Sequence, residues 1–244
     1  MRQRLARSMV GSVFLATTAL VIACGVARPT APIPTAHVPS ALGPVLPYVK
    51  AAHIPVYLPG WVPPAGAGEY YLLGAHATAD SYEVSFDFTN HPTPVNGQGM
   101  TSMTGTLGTV RGGPAGSLDA VARQPWMQPK GTGRSIQLPN GHAATLYPRW
   151  GIRWTQGGWT YSVVSLAAPP TNPSVVMPSV QNILDAVGPS GNPVGPHTTG
   201  ELFQDLAPDN AAMTLLWQYG GYQYEIWGYA APAIRLARSL VRVK

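Results

Sequence analysis

The side chains with which proteins hold metals, move protons or attack carbonyl groups are sparse in this chain of 244 residues: six histidines, ten acidic residues and one cysteine. His37, His53, His76, His91, His142 and His197 are dispersed. They show neither H-x-x-x-H nor H-E-x-x-H, the spacings that bring two imidazoles to one helical face around zinc. Asp80, Glu83 and Asp87 form the one dense group of acids; in a strand, Glu83 and Asp87 share a side and mark a solvent face. Asp185, Glu201 and Asp205 read as helix or loop surface. No G-x-S-x-G nucleophile elbow occurs. Gly105-Thr106-Leu107-Gly108 and Arg111-Gly112-Gly113 lack the Lys-Ser/Thr of a phosphate loop. The sequence thus predicts no catalytic residue, no metal site and no cofactor. One charged feature remains, Arg235, Arg238 and Arg242 at helical spacing with Lys244 beyond them. Such cations suit a helix C-terminus, and on an anchored protein they would also suit anionic lipid or a cell-wall polymer.

The cysteine, Cys24, has an informative neighbourhood. Arg2, Arg4 and Arg7 make a basic start, and Met9 to Ala23 follow without a charge. A membrane-spanning helix needs about 20 apolar residues; this stretch is shorter and ends in small residues, as a secretory signal does. Val21-Ile22-Ala23-Cys24, followed by Gly25, resembles the lipobox of bacterial lipoproteins. That resemblance implies acylation of the Cys24 sulfur and cleavage before it, leaving the protein on the cell membrane, lipid-anchored and facing the extracytoplasmic side. The alternative is an ordinary secretory signal beside an incidental cysteine. Removing residues 1–23 takes away three arginines and no acid, so the formal charge falls from +5 to +2. The basic character then belongs largely to the signal, and a nucleic-acid partner loses its electrostatic support.

The elements that must position any site are marked mainly by 27 Gly and 26 Pro, in a chain only 10% charged. Residues 24–47, rich in Ala and Pro, favour an extended tether, with the folded part beginning near Tyr48. Ile54 to Pro64 carries prolines too closely spaced for a helix or central strand and reads as an extended edge segment. Tyr82 to Phe88 alternates as a strand with Tyr82, Val84, Phe86 and Phe88 inward, paired with Tyr70-Tyr71-Leu72-Leu73. Residues 89–116 read as loops with a strand around Thr106 to Val110. Ser117 would cap a short helix, Leu118–Arg123. Ile136 to Tyr147 reads as a hairpin about Pro139-Asn140-Gly141. Val180, Ile183, Leu184 and Val187 make one helical stripe, begun near Pro178 and stopped by Gly188-Pro189.

Two segments share the pattern W-x-x-G-G-[WY]-x-Y: Trp154 to Tyr161 and Trp217 to Tyr224. A two-residue Gly-Gly turn sets Trp154 opposite Tyr161 and Trp217 opposite Tyr224. Leu215, Trp217, Tyr219, Tyr222, Tyr224 and Ile226 then share one side, and Gln218, Gln223 and Glu225 the other. A helical pattern follows each hairpin, the second from Pro232 to about Arg242. The aromatic side would stack on sugars or bases if open, or form a core if covered by the following helix. Each aromatic buries about 150–250 Å², worth several kcal/mol at about 25 cal/mol per Å², and this favours the core. Trp227 falls on the polar side, and Trp61, Trp126 and Trp150 lie in loop-like contexts. These four are the better candidates for exposed aromatics, although tryptophan packed beneath Pro-rich loops is the commoner outcome.

This hairpin, followed by Ile234-Arg235-Leu236-Ala237-Arg238-Ser239-Leu240 and preceded far upstream by Pro55-Val56-Tyr57-Leu58-Pro59-Gly60-Trp61-Val62-Pro63, resembles a domain of unknown function. Such domains occur in lipoproteins and other extracytoplasmic proteins of Gram-positive, often spore-forming, bacteria. The resemblance implies an α+β fold and an envelope role, and carries no catalytic residues. The expected architecture is an antiparallel twisted sheet of hairpins with a few short helices packed on one face and an internally repeated hairpin–helix unit. Its divisions are a signal peptide at 1–23, a tether at 24–47, a body at 48–188 and a second hairpin–helix unit at 189–244 packed on the same body. The expected function is a non-enzymatic envelope binding or interaction module held to the membrane through lipidated Cys24. An envelope-acting enzyme or enzyme accessory would instead show convergent acids or histidines in a cleft. A carrier would show an open apolar cavity.

Overall fold

The computed structural model describes residues 37–97, 107–117, 124–165, 173–195, 198–206 and 212–244. Cys24, His197 and the helix expected over Leu118–Arg123 lie outside them. One compact unit spans Thr35–Lys244. Its described residues make a mostly-sheet α+β fold, with a sheet of ten strands, a second of two, and three short α-helices.

The strands are β1 (Tyr57–Pro59), β2 (Tyr70–Ala77), β3 (Tyr82–Thr89), β4 (Gly108–Pro114), β5 (Arg134–Gln137), β6 (Ala143–Tyr147), β7 (Gly151–Gln156), β8 (Trp159–Val164), β9 (Thr199–Asp205), β10 (Ala212–Tyr219), β11 (Tyr222–Tyr229) and β12 (Leu240–Arg242). The large sheet runs β2-β3-β4-β11-β10-β9-β8-β7-β6-β5. Both Gly-Gly hairpins have the register that their turns require: Trp154 opposite Tyr161, and Trp217 opposite Tyr224. The four turn glycines have φ of 59° and 82° at Gly157 and Gly158, and 60° and 82° at Gly220 and Gly221. That is the mirror-image turn geometry that glycine adopts without strain.

The sheet is mixed, not purely antiparallel. The helix α2 (Met177–Val187) carries the chain from the end of β8 back to its start, so β9 runs parallel to β8, the connection that parallel neighbours need. Strand β9 includes Glu201 and Asp205, which the sequence placed on helix or loop surface; its Leu202 and Phe203 are buried. Val180, Ile183, Leu184 and Val187 of α2 are all buried, as their stripe predicts, and the N–H of Gly188 closes the helix on Leu184 O.

The last helix, α3 (Ala230–Arg238), packs on β10 and β11 and is shorter than expected. Three backbone carbonyls, of Arg235, Leu236 and Ala237, receive the Ser239 N–H. The chain then becomes β12, which pairs with β1 through Tyr57 opposite Arg242 and Leu58 opposite Val241. Arg242 therefore does not share a helical face with Arg235 and Arg238. The expected extended edge segment is realised as β1. At the other end packing begins before Tyr48: a 3-10 helix (Ser40–Val45) and α1 (Leu46–Val49) bury Leu42, Val45 and Val49 in the main core.

The two hairpin tips differ in surroundings. A Cβ added at Gly157 would overlap the backbone oxygens of Ser190 and Gly191, whereas one at Gly220 meets nothing within 4 Å. Gly220→Ala should cost about 1 kcal/mol of left-handed backbone strain. Gly157→Ala should cost a further ~1–3 kcal/mol, because the loop after α2 must move. Urea unfolding of the two variants measures the difference, and equal losses would contradict the docking of the first tip.

Candidate functional site

The alternation of the strands divides the functional side chains between two faces. On the first face lie Val84, Val110, Ile226, Leu215, Leu202, Tyr161 and Trp154 in one cross-strand row. Trp154 stacks on Tyr161 at 4.9 Å and Trp217 on Tyr224 at 5.6 Å between ring centroids. All four are buried in one cluster with residues of α2 and α3. The aromatic face is a closed core and offers no open stacking platform. Its hydroxyls are used internally: Tyr161 donates to Gly191 O, Tyr224 to Pro55 O, and Tyr82 donates to Tyr57 O while accepting from Tyr57 N. Burial pushes the phenols of Tyr82, Tyr161 and Tyr224 upward, so none titrates near neutrality. Tyr219 at the second hairpin tip stays half-exposed, edge-on to Tyr57 at 6.4 Å.

The second face holds the charges. Glu83, Arg111 and Glu225 are direct cross-strand neighbours on β3, β4 and β11. Arg111 Nη2 donates to Glu225 Oε1 at 3.2 Å, and Arg111 Nη1 stands 3.9 Å from Glu83 Oε2. The sequence placed Glu225 on a polar face, yet its side chain is only 1% exposed. Glu225 Oε2 and Arg111 Nε are buried without a hydrogen-bond partner. Burial raises the Glu225 carboxyl above the ordinary range, and Arg111 acts against that shift. Further along, Arg153 donates to Ser162 Oγ and Met127 O and lies 5.0 Å over the Trp150 ring. Trp150, at 4% exposure, forms a small second cluster with Met127, Val164 and Phe203.

The other candidates do not converge. His37, His53, His76, His91 and His142 are all exposed, and among the described residues no three His, Cys, Asp or Glu side chains are placed to share a metal ion. Trp61 lies beneath Arg235, whose guanidinium carbon is 3.9 Å from the ring centroid. Arg238 donates to Ala186 O at the end of α2, where a cation complements the helix. Trp227 is half-buried, and the Trp126 side chain lies outside the described set. Open grooves line parts of the surface. One, of about 510 Å³, is lined by Val38, Leu46, Val49, Lys50, Val243 and Lys244. Another, of about 330 Å³, runs along Ser135, Ile136 and Gln137 of the edge strand β5. No helix among the described residues is long and apolar enough to cross a membrane.

The protein matches no family model, and neither the curated proteins nor the solved structures contain a match to it.

The Arg111–Glu225 pair joins residues 114 positions apart in sequence, so its geometry was not readable from local pattern. Burial of the carboxyl sets the direction of its pH-linked stability. The folded state holds the Glu225 proton more tightly than the unfolded chain. The corresponding stability is fully present below the ordinary carboxyl value of 4.5 and falls as pH rises through the folded value. Urea unfolding across this range should lose that fall in Glu225→Gln. At neutral pH, Arg111→Ala should cost on the order of 3 kcal/mol by leaving a buried charge unpaired, and adding Glu225→Gln should restore much of it. Simply additive losses in the double variant would contradict the coupling.

Proposed function

We propose that the protein is a lipoprotein of the cell envelope, exported by the signal at residues 1–23 and acylated at Cys24. In this reading its folded unit is an extracytoplasmic binding or interaction module, and its two hairpin–helix segments are copies of one unit. One observation carries the non-enzymatic part: the aromatic residues, which would otherwise form a binding platform, are closed beneath α2 and α3. The arginine and the two acids that come together on the second face, Arg111, Glu83 and Glu225, are strand-to-strand partners of the sheet itself. Support for the anchor is the sequence Val21-Ile22-Ala23-Cys24-Gly25 after an uncharged stretch, holding the chain's sole cysteine. A short Ala/Pro-rich segment between Cys24 and the folded unit fits a spacer that holds the module close to a bilayer.

In cells expressing the protein, radiolabelled palmitate should enter the wild-type chain and be lost in Cys24→Ser, with the variant released from the membrane fraction. Equal labelling of both forms would refute the anchor.

A further inference from the structure

We propose that the end of the folded unit built from α1, β12 and the two residues after β12 is a docking surface for an anionic phospholipid bilayer. The inference rests on the lipid anchor proposed above. Three cations are joined there. Lys244 Nζ donates to Lys50 O at 2.8 Å and to Ala52 O at 2.6 Å, and Arg242 Nε donates to Lys244 O at 2.8 Å. All three side chains are exposed. The ion pairs among the described residues are those of Arg111, and none involves Lys50, Arg242 or Lys244. Beside these cations lies the open apolar groove of about 510 Å³ floored by Val38, Leu46, Val49 and Val243. Tyr48, 44% exposed, projects from the same helix as Leu46 and Val49. Cations around apolar groups with an adjacent tyrosine are the composition of a surface that rests in lipid headgroups.

The chain's own path selects this occupant. Twelve residues separate Cys24 from His37, a distance of at most about 40 Å even if extended as polyproline helix. Val38, the next residue, already lines the groove. The tether joins the folded unit beside this groove, so this end is the one held nearest the anchor, where each cation near an anionic leaflet adds attraction. Arg235 and Arg238, the other members of the basic C-terminal pattern, are engaged with Trp61 and with the end of α2.

The test uses the purified protein with its native anchor, mixed with nanodiscs of phosphatidylcholine alone or with phosphatidylglycerol in equal parts. A water-soluble amine reagent then labels the lysines. Lys50 should label at least about threefold more slowly with the anionic discs, while Lys130, exposed in the segment before β5, labels equally with both. Molar salt, with a Debye length of about 3 Å, should remove the difference. Arg242→Glu should weaken the protection and Arg235→Glu should leave it intact. Equal labelling of Lys50 with both discs overturns the proposal, as does protection that depends on Arg235 and not on Arg242. The intact mass reports separately whether Cys24 carries acyl chains, so failure of the anchor and failure of docking are told apart.

Discussion

Two pairs of glycines fix which side of the sheet the aromatic residues of the two central hairpins occupy. In a hairpin with a two-residue turn, the residues flanking the turn face each other, and a slip of one position would turn every side chain to the opposite face. Gly157-Gly158 and Gly220-Gly221 hold that parity in the two central hairpins. Trp154, Trp159, Tyr161, Trp217 and Tyr224 then lie together on one side. A surface of that size must be covered, since each of these rings contributes about 150–250 Å² of burial. The covering elements follow their hairpins in the chain, α3 immediately after β11 and α2 after a connection that includes the 3-10 helix Pro173–Val175. The parallel strand β9, the tip-to-loop docking at Gly157 and the pairing of β1 with β12 all complete this closure.

The same parity forces polar and charged residues onto the second face. There Glu83, Arg111 and Glu225 meet across three strands as direct register partners. Removing the partner of a carboxylate so deeply buried leaves an uncompensated charge. The pair therefore penalises any misregister of β4 against β11, where Gly108, Gly112 and Gly113 leave few side chains to set alignment. On this face a buried ion pair ties β4 to β11, whereas Lys50, Arg242 and Lys244 are exposed near the groove where the described chain begins.

What was legible in the sequence was local. The hairpin registers follow from two-residue turns, the α2 stripe from its 3.6-residue period, and β3 from strict alternation. What escaped reading was set by distant partners. Strand β9 has only Leu202 and Phe203 as large apolar residues in its middle, and its burial comes from β8 and β10 on either side. The Arg235, Arg238 and Arg242 spacing suggests one helix, but β1, far upstream, draws Leu240–Arg242 into a strand. The groove at Val38, Lys50 and Lys244 unites the two ends of the folded unit, and no local window contains both. The proposed role of Cys24, in contrast, rests wholly on its neighbours in sequence, and the residue lies outside the described part of the fold.

The central claim is that both hairpin–helix segments belong to one cooperative sheet closed on one aromatic face. Native-state hydrogen exchange in rising denaturant tests it most directly. The amides of β8, β9, β10 and β11 should share the slowest exchange and open in a single transition. Separate opening of β9–β11 with α3, at lower denaturant than β5–β8 with α2, would contradict the account and divide the molecule at the parallel strand pair.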